Sequence, residues 1–279
     1  MNLQNTIRHA SEVLKNHNIL SHELDAEIIL ADIMKVKREH FIINNNINIS
    51  EKIIKKYDLA IKRRINKEPV AYITGKKEFW SKDFLVNYET LIPRPETELL
   101  IYKVINFFKN KSINILDIGT GSGCILLSIL KELSSSSGTG IDISSKAIQT
   151  AKKNSKKLNL INRSKFKIFD INNFTFGKYD LIISNPPYIP QRDLKNLSKD
   201  ITNYEPIIAL NGGLDGLDLI KKVIYKSSIL VKKSGLLAIE IGNQQYLKVS
   251  KLLKNKGFKE ISKEYDNNNN VRCIISTKL

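Results

Sequence analysis

Cysteine is nearly missing from this chain. Cys124 and Cys273 are the only two in 279 residues, too few and too far apart for a disulfide framework or a thiolate zinc site. Histidine is almost as scarce. His9, His17, His22 and His40 all precede every motif described below, which argues against histidine-based acid–base or nucleophilic chemistry. No apolar run approaches the roughly 20 residues of a bilayer span. The opening MNLQNTIRHASE lacks the charged-then-apolar pattern of a signal peptide. The expectation from these absences is a soluble cytoplasmic protein with reduced thiols, no metal and no membrane partner.

Acidic residues are also outnumbered, 28 Asp and Glu against 45 Lys and Arg, for a net charge of +17. Such a charge suits a nucleic-acid or ribosomal partner. The lysines, however, are spread along the whole chain instead of forming one stripe interleaved with aromatics. Asparagine runs at 44–46 and 267–270 point to drift toward Lys, Asn and Ile at exposed positions. On that pattern direct nucleic-acid binding is not expected.

The length allows one sizeable α/β domain and a small second one. Leu3, Ile7, Ala10 and Leu14 recur at helical spacing, and a second stripe (Leu24, Ile28, Ala31) follows Ser21, a candidate helix cap. A third helix follows Ser50, with Ile53, Ile54, Tyr57 and Ile61 inward and Arg63 and Arg64 near its carbonyl end, where cations favour the dipole. Residues 1–72 therefore read as a helical bundle that either packs on the main domain or grips a partner. Residues 73–92 read as a linker with a hairpin over 78–86. The segment Pro93-Arg94-Pro95-Glu96-Thr97-Glu98 opens a helix near Pro95, and its Arg94 is a candidate for an acidic partner. From Ile113 to the end, strand and helix alternate, with strands at 114–118, 140–143, 166–169, 179–184 and 235–241 and a terminal antiparallel hairpin. The serines at 134–137 read as a loop, and helices are expected over 214–233 and 244–256. Alternating βα units imply right-handed crossovers and a mostly parallel sheet across 93–279.

The strand at 179–184 stops at Asn185-Pro186-Pro187-Tyr188. Two prolines can neither donate to a ladder nor continue a helix, so the chain turns rigidly there. In an open α/β sheet the ligand crevice lies at the carboxyl ends of the strands. An asparagine oxygen, proline carbonyls without competing N–H groups and an aromatic face together suit a planar NH2 group. The plainer alternative is an Asn-capped turn with a packed Tyr.

The first strand ends in Asp117 and runs into Gly119-Thr120-Gly121-Ser122-Gly123 before a helix. Glycines there let backbone approach a ligand, and the helix start offers unpaired N–H groups. About twenty positions on, Asp142 ends the second strand, where a carboxylate can take two ribose hydroxyls. These features fit NAD and S-adenosylmethionine alike. Two details favour the latter: the spacing is G-x-G-x-G where the dinucleotide fingerprint is G-x-G-x-x-G, and Asp117 would repel a pyrophosphate but attract an amino-acid ammonium. Asp170, at the end of the third strand, can accept from an adenine amino group.

With these residues placed, the chain resembles the protein-glutamine methyltransferases of translation release factors, the HemK or PrmC family. The likeness runs through Glu68-Pro69-Val70-Ala71-Tyr72-Ile73-Thr74-Gly75, the Pro93–Glu98 segment, Asp117–Gly123, Asn185–Pro190, Tyr204-Glu205-Pro206 with Ala209-Leu210, and Gly212–Gly216. The Asn-Pro-Pro-Tyr element alone is shared with adenine amino methyltransferases of DNA. The Pro93–Glu98 segment and the helical N-terminal region narrow the likeness to the glutamine group. The resemblance implies an α/β Rossmann-like fold, a seven-stranded methyltransferase sheet with an antiparallel last strand beside a small N-terminal helical domain. It also implies S-adenosylmethionine as methyl donor, bound by Asp117, Gly119, Thr120, Gly121, Ser122, Gly123, Asp142, Asp170, Ile171 and Asn185. The implied substrate is the GGQ glutamine of class 1 release factors. The family often carries a bulky ring after the third-strand Asp; here that position is Ile171, which is expected to pack against the adenine without stacking.

An amide nitrogen is a poor nucleophile, and the motif offers no strong base. Asn185 and the Pro186 carbonyl are expected to accept the two amide hydrogens, with Pro187 stiffening the turn and Tyr188 holding the amide plane. The N-terminal region, without chemistry of its own, is expected to grip the protein substrate. Three rival readings are a DNA or RNA adenine methyltransferase, a ribosomal-protein glutamine methyltransferase, and a non-catalytic binding module. The first lacks a long target-recognition insertion, and the intact Asn185 and Tyr188 weigh against the last.

Overall fold

A computed structural model describes residues 2–43 and 47–279; the asparagine run at 44–46 lies outside the described residues. The chain divides into two compact units, Met1–Lys76 with Ser198–Tyr204, and Lys77–Leu197 with Glu205–Leu279. The first unit therefore runs past the expected boundary at 72 and also takes in a short segment from late in the chain.

In the first unit, α1 (Leu3–Asn16), α2 (His22–Met34), α3 (His40–Ile43), α4 (Glu51–Ile65) and α5 (Val70–Thr74) form the bundle. Leu3, Leu14, Ala26, Leu30, Tyr57 and Ile61 make its core, and the Tyr57 hydroxyl, deep inside, donates to the Ala26 carbonyl at 2.9 Å. Asn2 caps α1 by accepting from the Gln4 N–H at 2.8 Å. Ser21, expected to cap α2, instead donates to Asp25 Oδ2 at 2.8 Å. Arg64 likewise does not idle at the end of α4. It is buried, with Nε donating to Asp25 Oδ2 at 2.6 Å and Nη1 to Asp200 Oδ2 at 2.9 Å. A guanidinium out of water needs such carboxylates, and their directional bonds outweigh any helix-dipole preference at the surface. The linker expected from residue 73 begins inside the short helix α5, which Pro69 precedes with a pre-set φ and which Gly75 ends in the left-handed region (φ 71°).

The second unit starts at Lys77, one residue into the hairpin of β1 (Lys76–Phe79) and β2 (Lys82–Leu85). Its two-residue turn, Trp80 and Ser81, has positive φ at both positions (50° and 53°), as a type I′ turn demands. Glu98 accepts the Trp80 N–H at 2.8 Å and helps to hold this unusual pair. Then follow α6 (Thr97–Phe107), β3 (Asn114–Ile118), α7 (Cys124–Glu132), β4 (Ser137–Asp142), α8 (Ser145–Lys157), β5 (Ser164–Ile168) and β6 (Tyr179–Ser184). The short α9 (Lys199–Thr202) belongs to the segment grouped with the first unit. The chain closes with α10 (Asp218–Leu230), β7 (Val231–Glu240), α11 (Tyr246–Asn255), β8 (Phe258–Tyr265) and β9 (Val271–Lys278).

The strands form one seven-stranded sheet in the order β5-β4-β3-β6-β7-β9-β8. The five from β3 to β7 run parallel to one another; β9 is antiparallel to both β7 and β8. Successive residues of β3 point to opposite faces. Ile115 joins the core of Leu126, Leu127, Ile129 and Leu181, while Leu116 and Ile118 join that of Ile182, Ile220, Val223 and Ile239. Both faces are thus covered, which is why these strands read as unbroken apolar runs.

Element ends differ where polar side chains substitute for helix or loop. Ser136, expected in a loop, is buried and accepts the Ile113 N–H at 3.1 Å, so that Ser137 already starts β4. Residues 214–217 are a turn, not helix: Asp215 Oδ1 accepts the Leu217 N–H at 3.1 Å and Gly216 takes φ 75°. The sheet order reverses direction between β3 and β6, so the loops after β3, β4 and β6 converge at one edge. That switch point is where an open parallel sheet binds its ligand.

Candidate functional site

At the switch point lies a cavity of about 270 Å³. Of the residues singled out from sequence, Gly119, Gly121, Asp142, Asp170, Ile171, Asn185 and Pro187 line it. The loops after four successive strands are therefore brought together.

Gly119 and Gly121 both hold positive φ (73° and 54°), and nothing stands within 4 Å of where a Cβ would be on either. The loop backbone is thus bare toward open space, the condition for close approach of a ligand. Asp142 anchors this loop: its Oδ2 accepts the Gly121 N–H and its Oδ1 the Ser144 N–H, both at 2.9 Å. Burial raises the Asp142 pKa, while those backbone donors pull it down. Each carboxylate oxygen keeps lone-pair capacity for a further donor.

Asp117 does not line the cavity; it is fully buried behind the glycine loop. Its Oδ2 accepts from the Thr120 hydroxyl at 2.6 Å, and its Oδ1 is buried without a hydrogen bond of ordinary geometry. Burial pushes its pKa up to about 7, against the Thr120 bond. Its place before Gly119, from which contact with a ligand ammonium is expected, sets its carboxylate beneath the glycine loop, where it grips Thr120. Its side chain points to one face of β3 while the loop turns over the strand end. Thr120, Ser122 and Gly123 are likewise buried beneath the loop surface.

The far end of the cavity is apolar. Ile171 is buried and shares a hydrophobic cluster with Ile118 and Ile141. The aromatic ring absent after Asp170 is supplied one residue before it: Phe169 lines the cavity and meets Phe174 edge-on at 5.2 Å between centroids. Asp170 itself is held in place by Asn172, whose N–H donates to Oδ1 at 2.8 Å; this bond lowers the carboxyl's pKa.

In the Asn-Pro-Pro-Tyr turn, Asn185 and Pro187 line the cavity, whereas Pro186 and Tyr188 do not, and Pro186 is buried. Asn185 Nδ2 donates to Thr97 Oγ1 at 3.1 Å, and Thr97 Oγ1 donates to Glu240 Oε2 at 2.6 Å. Tyr188 is not a loose aromatic lid. Its hydroxyl donates to Glu240 Oε1 at 3.2 Å and accepts from Arg272 Nη2 at 2.9 Å. The Arg272 guanidinium also lies 5.3 Å from the ring centroid, which takes one face of the ring. Burial and Glu240 together raise the Tyr188 pKa. Burial likewise raises that of Glu240, opposed by Thr97 and Arg272. Gln245 completes the turn by donating to the Tyr188 carbonyl at 2.9 Å.

Thr97, Glu240, Arg272 and Gln245 were missed from sequence, as were the walls formed by Thr90, Leu91, Pro206 and Ile208. Arg94 finds its acidic partner in Glu205, which also accepts the Ile92 N–H at 3.2 Å. Among the described residues, no group of His, Cys, Asp and Glu could hold a metal ion, and no helix is long and apolar enough to cross a membrane.

The PrmC N-terminal domain family matches residues 5–75, and a methyltransferase domain family matches residues 109–277. A release factor glutamine methyltransferase of Clostridium acetobutylicum is 36% identical, with 100% of this chain and 99% of the relative aligned. One of Buchnera aphidicola (subspecies Schizaphis graminum) is 41% identical over 91% of this chain and 92% of its own. Among solved structures, the hMettl16 catalytic domain superposes with a TM-score of 0.57 at 17% identity, covering 84% of each chain. A methyltransferase from Pyrococcus furiosus gives 0.53 at 15% identity, covering 70% of this chain and 88% of that one. Likeness at such identities concerns the fold alone.

Proposed function

The chain belongs to the family of release factor glutamine methyltransferases, and we propose that it methylates the side-chain amide nitrogen of the GGQ glutamine in class 1 peptide chain release factors. The methyl donor is S-adenosylmethionine. The observation that carries this reading is Asn185, which lines the cavity with its nitrogen committed to Thr97, leaving Oδ1 as an acceptor for a substrate amide.

The residues present fit this cofactor. The bare backbone of Gly119 and Gly121 accommodates its amino-acid end, and the Asp142 oxygens have capacity for the ribose hydroxyls. Ile171, Phe169 and Asp170 offer an apolar slot with a carboxylate for the adenine. Asp117 and Thr120 hold the loop in shape from behind. When bound, S-adenosylmethionine supplies an electrophilic methyl group on a sulfonium.

Asn185 Oδ1 and the Pro186 carbonyl accept the two hydrogens of the glutamine amide, fixing its nitrogen toward the donor. These acceptors bind more strongly as the nitrogen loses conjugation and gains positive charge, so they favour the transition state over the ground state. Orientation alone can contribute several kcal/mol, up to about 7–11 in the best cases. Pro187 stiffens the turn, and Tyr188, fixed by Glu240 and Arg272, holds the amide plane. The helical unit grips the release factor, and the protein works in the cytoplasm without needing nucleic-acid contact. Incubation with labelled S-adenosylmethionine and, separately, a release factor, a ribosomal-protein extract and DNA tests the assignment. Label is expected only in the release factor, on glutamine; label in DNA or a ribosomal protein instead contradicts it.

A further inference from the structure

We propose that Glu240 is a positioning residue for this methyl transfer, acting through Thr97 on Asn185 and directly on Tyr188, so that one buried carboxylate fixes both ends of the Asn-Pro-Pro-Tyr turn. The inference rests on the reading of Asn185 as the substrate's acceptor.

Proton counting fixes the direction of each bond. Thr97 has a single hydroxyl proton, and the 2.6 Å contact to Glu240 Oε2 takes it. At its 3.1 Å contact with Asn185 the same oxygen can then only accept. An asparagine could present either end to Thr97; here it must present nitrogen. Its oxygen is turned elsewhere, and the residue lines the cavity. On the other side, a guanidinium can only donate, so the 2.9 Å contact from Arg272 makes the Tyr188 oxygen an acceptor. The tyrosine's own proton goes to Glu240 Oε1 at 3.2 Å. Two donor chains, Asn185 to Thr97 and Arg272 to Tyr188, therefore end on the two oxygens of one side chain.

Glu240 is suited to be that terminus. It is the last residue of β7, is fully buried, and has Arg272 Nη2 at 3.9 Å as its counter-charge. Its neighbour Ile239 is in register with Ser184, the residue before Asn185. The sheet itself thus sets where the carboxylate stands relative to the turn. A glutamine at 240 would keep the shape but replace one acceptor oxygen by a donor. One chain would have to reverse, and reversal through Thr97 turns Asn185 to show its NH2 to a substrate that also brings NH2.

Thr97→Val removes the hydroxyl at constant shape, Thr97→Ser keeps it, and Glu240→Gln keeps shape alone. Single-turnover methylation of a release factor should fall about tenfold or more in Thr97→Val and Glu240→Gln, the scale of one lost oriented hydrogen bond. Thr97→Ser should stay within about threefold of the parent, and so should the S-adenosylmethionine Kd of all three, since a bond worth 1.4 kcal/mol would show as tenfold. The double variant Asn185→Ala/Thr97→Val should be no slower than Asn185→Ala, because Thr97 acts through Asn185. Should Thr97→Val fail to melt cooperatively, Thr97→Ala enters the same cycle. Folded Thr97→Val and Glu240→Gln proteins with normal rates, or losses that multiply in the double variant, overturn the proposal while leaving Asn185 in its role. A normal rate in Asn185→Ala alone overturns the underlying reading instead.

Discussion

Arg94 and Glu205 form an ion pair that ties the two segments walling the cavity to each other. The Glu205 side chain is 1% exposed and that of Arg94 32%. Thr90 and Leu91 on one segment, and Pro206 and Ile208 on the other, line the cavity.

The unequal exposure predicts an unequal response. Removing Arg94 leaves a buried carboxylate with no counter-charge, which typically costs about 3–5 kcal/mol. Removing the charge of Glu205 leaves a guanidinium that can turn to water, a loss nearer the roughly 0–1 kcal/mol of a surface pair plus the Ile92 bond. Urea unfolding should therefore show Arg94→Ala to be clearly less stable than Glu205→Gln. The reverse order would mean that the pair is not what closes this wall.

Asp142 holds the glycine loop and is assigned the ribose. Asp142→Ala should weaken S-adenosylmethionine binding by ten- to a hundredfold, the effect of about 1.5–3 kcal/mol for a charged hydrogen-bond partner. Asp142→Asn, which keeps one acceptor, should fall between the two. Calorimetry giving unchanged affinity in Asp142→Ala, or tight NAD binding by the parent, would contradict the cofactor assignment.

The sheet, its switch point and the strand-end residues that reach the cavity were legible in the sequence, because glycine, proline and strand-end carboxylates act through backbone geometry that local spacing encodes. What was not legible depends on partners far away in the chain. Arg64 looked like a helix-end cation until Asp200 came beside it. Glu240 did carry a signal, a carboxylate closing the otherwise apolar run GLLAIEI, and a charge in such a strand calls for a buried partner. Only the register of β7 with β6 and β9 shows that the partners are Thr97, Tyr188 and Arg272. Asp117 was legible as a strand-end carboxylate, but its bond to Thr120 beneath the loop was not, since one step along a strand changes the face a side chain meets.

Asp117 also sets a pH dependence. Its pKa is raised from an ordinary 3.8 to about 7 in the folded protein. The folded state therefore holds this proton more tightly than the unfolded chain. The stabilisation is fully present below about pH 4 and is lost as pH rises through about 7, on the order of 4 kcal/mol at most. Melting of the cofactor-free protein between pH 5 and 8 should show this loss, and Asp117→Asn, which cannot ionise but still accepts from Thr120, should flatten it. Equal slopes for the two proteins would show that Asp117 does not titrate in this range.

The central claim is that Asn185 holds the glutamine amide for transfer. The most direct measurement is single-turnover methylation of a GGQ-containing release-factor fragment by Asn185→Ala at saturating S-adenosylmethionine. Loss of an oriented acceptor at such a site typically costs about a hundred- to a thousandfold in rate. A fall of that order is expected, with fragment affinity reduced far less. A near-normal rate would contradict it and reduce the Asn-Pro-Pro-Tyr turn to scaffolding.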